Sequence, residues 1–65
     1  MDKKTFENLD SLFTRVDGDF GIVWAECNTH YFYHTTIFNP KELISRLRII
    51  TAKIETIISI LEELK

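Results

Sequence analysis

Hydrophobic positions along the first sixteen residues recur at helical spacing. Phe6, Leu9, Leu12, Phe13 and Val16 stand three and four apart, while Lys4, Glu7, Asn8, Asp10 and Ser11 fill the other side. The pattern predicts an amphipathic helix over residues 3–16. Asp2 is suited to cap its N-terminus, and Asp17-Gly18 has the turn chemistry to stop it.

The pattern then changes. Gly21 to Cys27 reads GIVWAEC and His30 to Ile37 reads HYFYHTTI, both rich in β-branched and aromatic residues. With Asn28-Thr29 as the turn, these runs predict a two-stranded antiparallel hairpin over residues 20–37. One face would carry Ile22, Trp24, Glu26, Tyr31, Tyr33, Thr35 and Ile37. The other would carry Val23, Ala25, Cys27, His30, Phe32, His34 and Thr36.

A second helix is expected over residues 40–64, with Asn39 as cap and Pro40 at the first helical position. Here Leu43, Leu47, Ile50, Ile54, Ile57, Leu61 and Leu64 alternate four and three apart, the a and d positions of a heptad repeat. Ile44 and Ile58 widen the stripe on one flank and Ile49 and Ile60 on the other. The apolar arc is therefore broader than one buried face requires. A first helix of three to four turns is too short to cover it. The expected fold class is α+β: a short helix, a β-hairpin and a long amphipathic helix (α-β-β-α) in a single domain, dimerising through the long helix. The heptad positions leave oligomer number open, an antiparallel pair and a four-helix core being equally allowed. A compact monomer with an ordinary core helix is the plainer alternative.

Composition narrows the function classes. Sixty-five residues bury a small core, and the single cysteine, Cys27, excludes an intrachain disulfide. A lone thiol and the lack of an apolar run after Lys3-Lys4 make a cytoplasmic protein the expectation, with no membrane span. Residues 1–40 carry three basic and six acidic side chains, and residues 41–65 carry five and four, so neither half has a strong basic excess. Binding to nucleic acid through phosphate neutralisation is disfavoured on that ground. Arg46, Arg48 and Lys53 are the only local basic group, and their spacing suits ion pairs at a helix seam.

Candidate chemistry is sparse. Cys27, His30 and His34 have metal-ligand side chains at C-x2-H-x3-H spacing, without an evident fourth ligand. Two half-buried histidines on a sheet and a buried thiol are the plainer and favoured account of them, and no metal or other cofactor is expected. Asp17-Gly18-Asp19 resembles the start of a calcium loop, but the twelfth position is Asn28 where a glutamate is needed. No glycine-rich phosphate loop or nucleophile elbow is present, and enzyme activity is not expected. Trp24, Glu26, Tyr31 and Tyr33 form the expected partner-binding patch, since Trp and Tyr dominate binding hot spots. The expected function is a homo-oligomeric protein-interaction module, a stoichiometric adaptor or inhibitor of the size common in phages and mobile elements. A small dimeric nucleic-acid-binding regulator and a metal-binding module through Cys27, His30 and His34 are the alternatives.

Overall fold

A computed structural model describes residues 1–34 and 38–65. It contains two helices, α1 (Lys3–Tyr33, 31 residues) and α2 (Pro40–Glu63, 24 residues), folded back on each other as a helical hairpin. Among the described residues there is no strand. The expected α+β fold and its β-hairpin are therefore overturned, and α1 runs on through the segment assigned to strands. Residues 35–37, the end of the second expected strand, lie outside the described residues.

The reason lies in the apolar spacing. Phe6, Leu9, Phe13, Val16, Phe20, Val23, Cys27 and His30 alternate three and four apart without interruption. Leu9, Val16 and Val23, seven apart, are all buried. The helical period thus passes straight through Asp17-Gly18. Neither glycine has positive φ, so neither Gly18 nor Gly21 turns the chain. A glycine inside a helix costs about 1 kcal/mol relative to alanine, and packing along the rest of the seam outweighs that. The alternative, a lone two-stranded hairpin, has two open edges and is marginal in water. Strand propensity reports half-buried packing, which an amphipathic helix also supplies to Val23 and Cys27.

Each helix start is capped as the sequence predicts. The Thr5 backbone N–H donates to Asp2 Oδ1 at 2.8 Å, and the Glu42 N–H donates to Asn39 Oδ1 at 3.3 Å. Pro40 occupies the first turn of α2. α1 ends at His34, which takes a left-handed conformation (φ 50°, ψ 44°) and donates its N–H to the His30 carbonyl at 3.0 Å. His30 also stacks on Phe38, with ring centroids 4.2 Å apart, where the chain reverses.

The core is one line of side chains between the helices. Leu9, Val16, Ile50 and Ile57 form the cluster, with Leu12, Ile54 and Ile60 packed against it. Val23 and Leu43 extend the buried line toward the reversal. Ile50 is the most enclosed, at 1% exposure. The Lys53 ammonium donates to Asp19 Oδ2 at 3.0 Å across the helices, with both side chains partly buried. This pair bridges the two helices beside the apolar line. At ~1.5 Å per residue α1 is about 46 Å long and α2 about 36 Å. The molecule measures 47 × 17 × 14 Å, and its radius of gyration of 15.2 Å compares with ~11 Å for a compact chain of this length.

Part of the expected dimer seam packs within the chain. Leu43, Ile50 and Ile57 are buried against α1 of the same chain, and Ile54 is partly buried there. The short first helix of the sequence reading could not have reached them all. Leu47, Leu61 and Leu64 remain exposed.

Candidate interaction surface

With the core line fixed, helical geometry assigns the flanks. At about 100° per residue, positions seven apart share a side. On α1, Leu12 and Asp19 lie to one side of Leu9, Val16 and Val23, and Phe6, Phe13 and Phe20 lie to the other. On α2, Arg46, Lys53 and Ile60 lie to one side of Leu43, Ile50 and Ile57, and Leu47, Ile54 and Leu61 lie to the other. The Asp19–Lys53 contact shows which flanks of the two helices coincide.

The hairpin therefore has two unlike faces. The first holds the Asp19–Lys53 pair and a shallow notch lined by Asp19, Arg46, Ile49 and Lys53. Arg46 is drawn along its own helix to Glu42, at 3.4 Å. The second face carries Phe6, Phe13 and Phe20 from α1, with Leu47, Ile54 and Leu61 from α2, Ile44 and Ile58 at its edge, and the exposed carboxylates Asp10 and Asp17 beside the phenylalanines. Phe13 is 55% exposed, and Phe6, Phe20, Ile44, Leu47, Ile58 and Leu61 are likewise exposed. Among the described residues nothing covers this row.

The four residues expected to bind a partner are separated by the helix. Trp24 and Tyr31, seven apart, continue the side of the phenylalanine row. Glu26 and Tyr33, also seven apart, lie on the opposite flank. Trp24 is 70% and Tyr33 78% exposed. Tyr31 meets Phe32 edge-on, with centroids 5.0 Å apart. On a strand all four would have shared a face, because strand side chains alternate with period two.

The candidate metal ligands sit near the end of α1. Cys27 and His30 are half-buried, His30 engages Phe38, and His34 is the exposed left-handed cap. Among the described residues, no three His, Cys, Asp or Glu side chains come together to hold a metal ion. Asp17 and Asp19 lie within α1, and Asp19 pairs with Lys53, so they do not open a calcium loop. The basic group is dispersed as well: Arg46 and Lys53 are engaged by carboxylates, while Arg48 lies on the far side of α2.

Among the titrating groups, Asp2 stands out. Hydrogen bonding from the Thr5 side chain, and then from the Thr5 backbone N–H, holds its carboxyl below the ordinary carboxylate range. No helix among the described residues is long and apolar enough to cross a membrane.

The feature that sequence reasoning missed is the phenylalanine row. Phe6, Phe13, Phe20 and Cys27 are spaced seven apart, a signal present in the chain but cut in two by reading Asp17-Gly18 as a stop. No protein-family model, no curated protein and no solved structure matches this chain.

Proposed function

We propose that this chain is a homo-oligomeric protein-interaction module, acting by stoichiometric binding as an adaptor or inhibitor. The observation that carries this reading is the apolar face left open along the length of the hairpin. Contiguous apolar surface on a small protein marks a site of association. The core of such an interface is depleted in charge and enriched in aromatic side chains, as the row from Phe6 to Phe20 is.

The second binding element is the flank of α1 near the reversal. Tyr33 stands clear of the helix pair with Glu26 one heptad before it. A tyrosine offers a large apolar body with a hydrogen-bonding tip, and Glu26 adds a charge that selects a basic counterpart on the target. This flank is separate from the phenylalanine face, so one molecule can self-associate and hold a target protein at once.

Affinity capture from the source cells tests this reading, with wild type compared against Tyr33→Ala and Glu26→Lys. The wild type is expected to retain one protein at a fixed ratio. Tyr33→Ala should reduce its recovery at least tenfold at unchanged helicity. Equal recovery by all three proteins would remove this flank from the binding surface.

A further inference from the structure

The single chain exposes more surface than its mass warrants. A compact monomer of 7.7 kDa exposes about 4,300 Å², whereas this one exposes 5443 Å². The excess, roughly 1,100 Å², exceeds the ~800 Å² that each partner contributes to a stable protein interface. The phenylalanine face is where apolar side chains from both helices lie side by side.

We propose that this face is covered by a second copy of the chain, turned end for end. The two-fold axis would cross α2 near Thr51, giving an antiparallel four-helix bundle. The proposal rests on the self-association in the reading above and specifies its surface and geometry. Two-fold pairing is the commonest closed arrangement, and it requires a patch complementary to itself. This patch meets that requirement in apolar content and in the charges along its rims.

The outer rim of α2 carries Lys41, Arg48, Glu55 and Glu62 at seven-residue intervals, two basic and then two acidic. An antiparallel copy centred between Thr51 and Ala52 sets Arg48 beside Glu55 of the partner subunit. It also sets Lys41 beside Glu62 of the partner subunit.

The other two-fold arrangement has its axis along the bundle. It lays α2 over α1 of the partner subunit and so takes Arg48 and Lys41 away from the acidic side chains Glu55 and Glu62 of the other copy's α2. The rim charges therefore choose the end-for-end pairing.

Sedimentation equilibrium on the full chain at micromolar concentration tests the proposal. Wild type is expected at twice 7.7 kDa. Arg48→Glu and Glu55→Arg alone should each weaken dimerisation about tenfold or more, because each reverses two symmetry-related pairs. The double variant should return to within about threefold of wild type. Positions 48 and 55 are ~10.5 Å apart on one helix, too far to pair within a chain, so the rescue reports contact between copies. Phe13→Glu should give a helical monomer, and Ile49→Glu, on the opposite face, should leave the dimer intact.

A wild type that sediments as a 7.7 kDa monomer overturns the proposal together with the self-association it rests on. A dimer that survives Phe13→Glu and is broken by Ile49→Glu overturns the choice of face alone. Failure of the double variant to recover overturns the end-for-end arrangement. If Phe13→Glu loses its helicity, the charge-reversal series decides by itself.

Discussion

Replacing Gly18 and Gly21 by alanine tests the long helix at its weakest point. Both glycines lie on the outer side of α1, and a Cβ added at either meets nothing within 4 Å. Neither has positive φ. Alanine at each position therefore brings no clash and no backbone strain. It removes the flexibility that glycine gives the unfolded chain, a gain of about 0.5–1 kcal/mol per site. The sites do not touch other elements, so the double variant should gain roughly 1–2 kcal/mol. In a domain of this size about 1 kcal/mol moves the thermal midpoint by ~4–8 °C. The assay is thermal unfolding by far-ultraviolet circular dichroism at one fixed chain concentration, since self-association makes the midpoint concentration-dependent. The double variant should melt roughly 4–16 °C above wild type with somewhat higher helicity. A proline at position 21 should act oppositely, removing a helical hydrogen bond at a cost of about 3 kcal/mol or more. If Gly18 instead ended a helix in the left-handed region, Gly18→Ala would lower the midpoint. A fall for either alanine variant, or an indifferent Gly21→Pro, refutes the continuous helix.

Three further predictions follow from the packing, the ion pair and the caps. Ile50→Ala opens a cavity at the most enclosed position and should cost about 3–4 kcal/mol, comparable to the whole stability of so small a core, with helicity lost at ambient temperature. A double-mutant cycle on Asp19→Ala and Lys53→Ala, read by urea denaturation, should give a coupling of about 0.5–1 kcal/mol that shrinks with added salt; zero coupling would remove the bridge between the helices. Asn39→Ala should cost about 1 kcal/mol by loss of the cap on α2. The Asp2 carboxyl has a folded pKa below its unfolded one, so its cap is fully present above the unfolded value and is lost as pH falls through the folded value. The protection factor of the Thr5 amide, with the intrinsic pH dependence of exchange divided out, should fall over that acidic window in wild type and stay flat in Asp2→Ala.

The sequence made α2 legible almost to the residue, because its heptad runs unbroken from Leu43 and both Asn39 and Pro40 mark its start. The first half of α1 was equally clear. In the second half two local signals point the wrong way. Asp17-Gly18 carries the chemistry of a helix stop, and Val23, Trp24, Tyr31 and Tyr33 carry strand propensity. Both are short-range preferences of about 1 kcal/mol per residue. Against them stands the burial of Val23 on the seam that already holds Leu9 and Val16, a long-range term visible only once α2 is folded alongside. The surface differs from the expectation for the same reason: Trp24 and Glu26 share a face on a strand and lie on opposite flanks of a helix. A first helix of half the length leaves the whole α2 seam to a second chain, whereas the full α1 buries Leu43, Ile50 and Ile57 within this one.

Backbone and side-chain chemical shifts of residues 17–33, measured by NMR on the isotopically labelled chain, test the two-helix architecture most directly. Continuous helical Cα and Cβ shifts from Asp17 through Tyr33 are expected, with Overhauser contacts from Val16 to Ile50 and Ile57. Extended shifts over residues 21–27 and 30–33, with cross-strand contacts between Trp24 and Tyr33, would contradict the long first helix and the phenylalanine face built on it.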